Sequence, residues 1–310
     1  MLNILFVDAD SKNDFPNLAL MKLSAWMKEI NNGNITIDLV KGIPTTAPLF
    51  PYDKVYVSCI FYQNKSAVEA YVKQFAPLEI MIGGSGWDLK AKLVQPIEHI
   101  MPDYSLYGID YSLGFTSRGC IRNCGFCIVP EKEGPMRNNA PISEFHNPDH
   151  KKVMLLDNNF LASPRWTQNL DYIIEHNLKV NFNQGLDIRL IDWHKAAYLA
   201  KTNYRTWSFK TKSLHFAFDN PKHEDIIRKK VNILVEAGIK PKHLMFYILV
   251  GYNSTLKQDL KRVEILKELG CIPYIMKYNQ SQSPDLKKLA RWVNRRYHEF
   301  ISFEEFDNTM

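Results

Sequence analysis

The stretch GFTSRGCIRNCGFC, residues 114–127, places three of the chain's five cysteines within eight residues: Cys120, Cys124 and Cys127. Three thiolates are one short of the four usual for structural zinc. The next histidine, His146, lies nineteen residues beyond Cys127, outside compact zinc-ligand spacings. Three thiolates do suit a cubane [4Fe-4S] cluster that leaves one iron without a protein ligand. An open iron chelates a substrate or cofactor, so the spacing points to catalysis more than to electron storage.

Outward from this loop, apolar runs alternate with helical patterns. Before it, 2–8, 35–40, 54–59 and 79–84 read as strands and 18–30 and 66–75 as helices. That order predicts a small Rossmann-like α/β domain over 1–100, followed by a Pro-containing linker at 101–112. After it, strands are expected at 113–117, 152–157, 179–183, 214–219, 243–251 and 271–278. Helices are expected at 164–176, 192–201, 222–237, 256–269 and 284–300. Six strands are fewer than the eight of a full barrel, so 113–283 reads as a partial, six-stranded TIM-like (β/α)6 barrel. Residues 284–310 make a C-terminal helix and tail.

Composition agrees with a folded enzyme. The 310 residues are 45% apolar, 23% charged and 12% aromatic, enough for a sizeable core. The longest apolar run, Leu244 to Val250, is a third of what a bilayer needs. The N-terminus reaches Asp8 too soon for a secretory segment. The net charge of +6 is mildly basic and does not demand nucleic acid. The chain reads as a cytoplasmic enzyme with no membrane partner.

With a strand before it and the aromatic Phe126 before its last cysteine, the loop resembles the signature of the radical S-adenosylmethionine (SAM) superfamily. The resemblance covers about 113–280. It implies that the open iron binds the amino and carboxylate groups of SAM and that an external donor, such as flavodoxin or ferredoxin, supplies an electron. Reductive cleavage then gives methionine and a 5′-deoxyadenosyl radical, which abstracts hydrogen from a small-molecule or nucleic-acid substrate.

The resemblance also suggests cofactor contacts. Asp157 and Asn158 lie in LLDNNF (155–160), at the end of the second strand of this series, where the family binds the SAM ammonium; Asp157 is equally placed to cap the following helix. Arg189 in NQGLDIRL (183–190) is a candidate clamp for the SAM carboxylate, or a surface ion pair. Asp219, ending FAFD (216–219), is a candidate for the ribose hydroxyls, or for capping the helix opened by Pro221. Gly251 in YILVGYNS (247–254) is the one retained position of an adenine-binding motif.

The first hundred residues resemble the cobalamin-binding domain of one large subgroup. IMIGGSGW (80–87) puts Gly83 and Gly84 after a strand, where that domain lets the cobalamin tail approach. The usual motif, laid on residues 8–13, finds Asp10 in place of histidine and Asn13 in place of glycine. Cobalamin is therefore possible but not favoured, and a scaffold without it is the preferred reading. The alternatives are a cobalamin-dependent methyltransferase and an iron-sulfur nucleic-acid-binding or sensor protein. Lys287, Lys288, Arg291, Arg295 and Arg296 interleave with Trp292 and Tyr297 along the last helix. That pattern reads as an amphipathic cover, with Leu289, Trp292, Val293 and Phe300 inward.

Overall fold

The first four strands of the chain are β1 (Leu2–Asp8), β2 (Ile35–Lys41), β3 (Lys54–Ser58) and β4 (Ile80–Gly83), with α1 (Leu18–Ile30) after β1 and α2 (Lys65–Val72) after β3. All pair in parallel in the order β2-β1-β3-β4. In the central strand β1, Ile4, Leu5, Phe6 and Val7 are all fully buried, because both faces are covered. Ile4 and Phe6 pack with Leu20 and Met27 of α1. Leu5 and Val7 pack with Val68 and Tyr71 of α2. Alternating residues of one strand thus feed two cores. The computed structural model describes residues 2–11, 15–46, 51–75 and 78–306.

These elements belong to the first of two compact units, Met1–Gly114 with Ile128–Gly134 and Ala140–Lys151. Residues 101–112, expected as a linker, lie inside it. The Asp103 carboxylate accepts from Ser24 and Lys28 of α1, and the Tyr107 hydroxyl donates to Asp8 at 2.6 Å.

The second unit comprises Phe115–Cys127, Pro135–Asn139 and the chain from Lys152 on. Its elements are β5 (Lys152–Leu155), α3 (Trp166–Glu175), β6 (Lys179–Phe182), α4 (Trp193–Lys201), β7 (Asn203–Tyr204), β8 (Leu214–Ala217), α5 (Glu224–Glu236), β9 (Leu244–Val250), α6 (Leu256–Glu268), β10 (Ile272–Lys277) and α7 (Pro284–Asn294). Every strand in this series runs parallel to its neighbours, as helical crossovers require. Within this series the hydrogen-bonded strand orders are β7-β6-β5 and β8-β9-β10. The short β7, not expected from the sequence, takes the edge of β6 instead of β8. A single bond from the Leu186 N–H to the His215 carbonyl, 2.7 Å, links the loop after β6 to β8.

In β9, Leu244, Phe246, Ile248 and Val250 are buried while the residues between them are part exposed on the opposite face. α6 starts with a capping box in which Thr255 and Gln258 exchange side-chain and backbone bonds. α7 buries Leu289, Trp292 and Val293, and Asn294 bonds both backbone groups of Ile275, which ties the helix to the edge strand β10. The expected helix to residue 300 stops early, because Arg296 adopts a left-handed conformation (φ 64°). Phe300, expected inward, is 85% exposed.

Candidate active site at the cysteine loop

The loop that carries the cysteines leaves a two-residue antiparallel ladder, Ser117–Arg118 with Arg137–Asn138. Asp157, just past β5, fixes that departure. Its carboxylate is 2% exposed and accepts four bonds: the N–H and hydroxyl of Thr116, at 3.1 and 2.6 Å, and both from Ser117, at 2.6 Å. Burial pushes this carboxyl above its ordinary range, against the opposing pull of those donors. The side chain expected at the SAM ammonium faces the approach to Cys120. No side-chain cap precedes Phe160, so Asp157 does not cap the helical turn that follows. Asn158 turns the same way, its Oδ1 accepting from the Gly119 N–H at 3.0 Å. Gly119 sits at φ 80°, a conformation that favours glycine.

Cys120 and Cys124 are half-buried and Cys127 is exposed. The Cys120 sulfur accepts from the Arg122 N–H at 3.3 Å and from the Asn159 amide at 3.4 Å. Donors aimed at sulfur are the kind of outer contact that orients an iron ligand. Burial raises the Cys124 thiol, the Arg189 guanidinium lowers it, and the two neighbouring cysteines raise it further. Among the described residues, no three His, Cys, Asp or Glu side chains gather as a ligand set for one ion. Three thiols on one loop, with N–H donors to sulfur, fit a cluster. Cys59 and Cys271 are buried elsewhere, their thiols pushed up by burial to about 11 and about 12.

Asp187 is the residue that sequence reasoning missed. It follows β6 and is gripped by two guanidiniums: Arg122 Nε at 2.8 Å, and Arg189 through Nε at 2.7 Å and Nη2 at 3.1 Å. Burial works to raise its carboxyl, but the two arginines outweigh it and hold the group below the usual range. Arg189 is therefore neither loose nor simply superficial. Asp187 presents it in a fixed fork and ties it, through Arg122, to the cysteine loop. The Asp-x-Arg spacing is visible in the sequence, but nothing there shows that Arg122 joins it.

Asp219 follows β8 and accepts from the Leu249 N–H at 2.9 Å. The capping role falls to Asn220, whose side chain accepts from the Lys222 N–H. Burial raises the Asp219 carboxyl, with Arg262 and Arg189 pulling it back. Gly251, after β9, sits at φ 79°, and a Cβ there would come within 2.8 Å of Leu286. Phe126 packs edge-on against Tyr252, with ring centres 5.5 Å apart, and Tyr252 against Tyr278 at 4.9 Å. A Cβ on Gly125 would lie 2.5 Å from the Tyr252 hydroxyl, so glycine lets this aromatic close on the loop. Asp157, Asp187, Asp219 and Gly251 all stand just beyond the C-terminal ends of parallel strands, where ligands bind in such folds.

In the first unit, the groups considered for cobalamin are engaged by the chain itself. A Cβ on Gly84 would fall 2.3 Å from the Cys59 carbonyl oxygen, and one on Gly86 would fall 2.5 Å from the Phe61 backbone. Of these three glycines, Gly83 alone is open. Asp10 accepts from the N–H groups of Ile60 and Phe61 and from Asn64, and Asp8 accepts from Tyr107. Asn13 and Asp14 lie outside the described residues.

No protein-family profile matches the chain, and no curated protein sequence does. Among solved structures it is similar to the radical SAM methyltransferase TsrM from Kitasatospora setae. With cobalamin and a [4Fe-4S] cluster bound, that enzyme aligns with a TM-score of 0.60 at 11% identity, over 89% of this chain and 75% of the other. With its tryptophan substrate and the SAM analogue aza-SAM, it aligns with a TM-score of 0.59 at 10% identity, over 89% and 73%. At such identity the likeness is one of architecture: this chain shares a mixed α/β fold with that structure.

Proposed function

We propose that the chain is a radical SAM enzyme whose parallel strands in the second unit act as a partial six-stranded barrel around the cofactor. The observation that carries this reading is the three-cysteine loop with N–H donors aimed at its first sulfur, fixed by the Asp157 and Asn158 side chains just past β5. Cys120, Cys124 and Cys127 would hold a [4Fe-4S] cluster, which when bound with SAM supplies the electron for reductive cleavage of the sulfonium. The chain's own residues hold and orient. Asp157 and Asn158 fix the loop that presents the cysteines. Arg189, steadied by Asp187, offers its remaining donors to the SAM carboxylate, and Asp219 and the backbone around Gly251 stand where the nucleoside would lie. Phe126 and Tyr252 cover the loop and exclude water. A flavodoxin- or ferredoxin-type protein is the proposed electron source, and the substrate is a molecule with an unactivated C–H position.

Anaerobic protein reconstituted with iron and sulfide, given dithionite and SAM, should release 5′-deoxyadenosine and methionine in equal amounts. Release no greater than from the Cys124→Ala variant would sink the reading. Arg189→Ala should weaken SAM binding by on the order of 1.5–3 kcal/mol, the worth of a charge-assisted contact. Asp157→Ala acts one step earlier. It strands the buried donors of Thr116 and Ser117, at about 1–3 kcal/mol for each group left unpaired. Iron retained after desalting should therefore fall, while SAM affinity per loaded cluster stays near wild type. Full iron with weak SAM binding would instead make Asp157 a cofactor ligand.

The second reading, a cobalamin-dependent methyltransferase, draws on the fold likeness, since that neighbour was solved with cobalamin. We favour the scaffold reading because Gly84, Gly86, Asp8 and Asp10 already serve the first unit's own loops. Protein incubated with hydroxocobalamin and desalted should show no corrinoid band. A band near one equivalent per chain would promote the methyltransferase.

A further inference from the structure

One face of the β8-β9-β10 sheet carries groups that the cofactor reading leaves unused. In the parallel register, His215 stands opposite Met245, and one step on Ala217, Tyr247 and Tyr274 form a row. The next row is headed by Asp219 and ends in Met276 of β10. The rows thus climb from His215 toward the residues assigned to the nucleoside. The Tyr247 hydroxyl lies 3.4 Å from His215 Nδ1, and its ring meets those of His215 and Tyr274 edge-on at 5.6 and 5.8 Å.

Two observations point to a ligand on this face. His215 is 8% exposed, yet its Nε2 has no hydrogen-bond partner. A buried polar atom without a partner is uncommon, because it loses its bond to water and gains nothing in exchange. Meanwhile Tyr274 and Met276 are 39% and 48% exposed, although both sit on the face of a parallel strand, where such side chains are normally covered. Ala217, small and exposed, leaves a notch between His215 and Asp219.

We infer that this face binds the substrate, and that the substrate meets it with a planar ring bearing one uncharged polar edge atom for His215 Nε2. Aromatic edges and a thioether favour a flat π surface. The rows of His215 and Ala217 contain no Lys, Arg, Asp or Glu, so nothing there neutralises a phosphate or carboxylate. Burial holds the imidazole below its ordinary value, and a neutral ring offers Nε2 as one donor or one acceptor. The inference rests on the radical SAM reading for the neighbouring cofactor.

Indole and guanosine, each a planar ring with a polar edge, serve as probes, with glycerol 3-phosphate as the anionic, ring-free control. Equilibrium dialysis against reconstituted protein with SAM should give saturable binding of at least one ring, near one per chain. His215→Phe and Ala217→Leu should each weaken it at least tenfold while iron content stays at the wild-type level. Ala217→Leu adds bulk at an exposed position, so it tests the notch even where His215→Phe folds poorly. Absence of saturable ring binding, binding untouched by both variants, or tighter binding of glycerol 3-phosphate would each overturn the inference. SAM cleavage measured on the same wild-type sample separates the two readings. Cleavage without ring binding leaves the enzyme reading intact and removes this one. Ring binding without cleavage keeps the face and removes the radical chemistry.

Discussion

Alanine at Cys120, Cys124 or Cys127 is expected to take the reconstituted protein from about four irons per chain to almost none. In the proposed cluster each thiolate would hold one iron, and the loop offers no fourth cysteine to substitute. The loss should be close to complete for each single variant, because a cluster on two protein ligands exchanges readily with solvent and chelators. Cys59→Ala and Cys271→Ala should retain the wild-type count. Both thiols are buried, and burial keeps them protonated through the physiological range. Iron and acid-labile sulfide on desalted protein make the measurement. About eight irons per chain, or retention in any of the three loop variants, would remove the single-cluster reading.

Much of this site is legible in the amino-acid sequence, for a physical reason. Ligand chemistry at short spacing is local: CxxxCxxC constrains one loop, so the residues that matter are neighbours in sequence. The strands and their crossover helices are legible too, since periodicities of 2 and 3.6 are also local signals. What stays hidden is contact between loops. Asp157 reads as a cofactor ligand because it ends a strand, whereas its four bonds go to Thr116 and Ser117, some forty residues earlier. Asp187 carries no signal of its own because its meaning depends on Arg122, 65 residues away. Short strands hide for a different reason. β7 has two residues, too few to show a period, yet it decides which edge of β6 is covered. Phe300 falls inward only if the period is extended past Arg296, where the left-handed backbone resets the direction of the chain.

Arg262 is invisible in the sequence for the same reason as Asp187, and its loss should be the largest stability effect in the second unit. It lies in α6, is 1% exposed, and reaches under the ends of β8 and β9. Its Nη1 donates to the carbonyls of Phe218 and Asp219 at 2.7 and 2.8 Å. Its Nη2 donates to Leu249 at 3.0 Å, to Ser254 at 3.1 Å, and to Asp259. Burial lowers its affinity for the proton, and the Asp259 carboxylate opposes that. Removing the cation alone strands a buried carboxylate and three carbonyls, so Arg262→Met should cost about 3–5 kcal/mol and lower the thermal midpoint by roughly 10 °C. Removing both charges is a different matter. The pair's attraction does little more than offset the cost of taking two ions out of water, so Arg262→Met with Asp259→Leu should recover much of the loss. The double variant still lacks the clamp on the Asp219 and Leu249 carbonyls. A structural pair alone predicts restored stability with normal SAM binding; a pair that also positions the proposed nucleoside site predicts restored stability with weaker SAM binding. The second outcome is expected, from thermal melts and SAM titration of the same samples. A single variant as stable as wild type would show that the strand ends hold without the guanidinium.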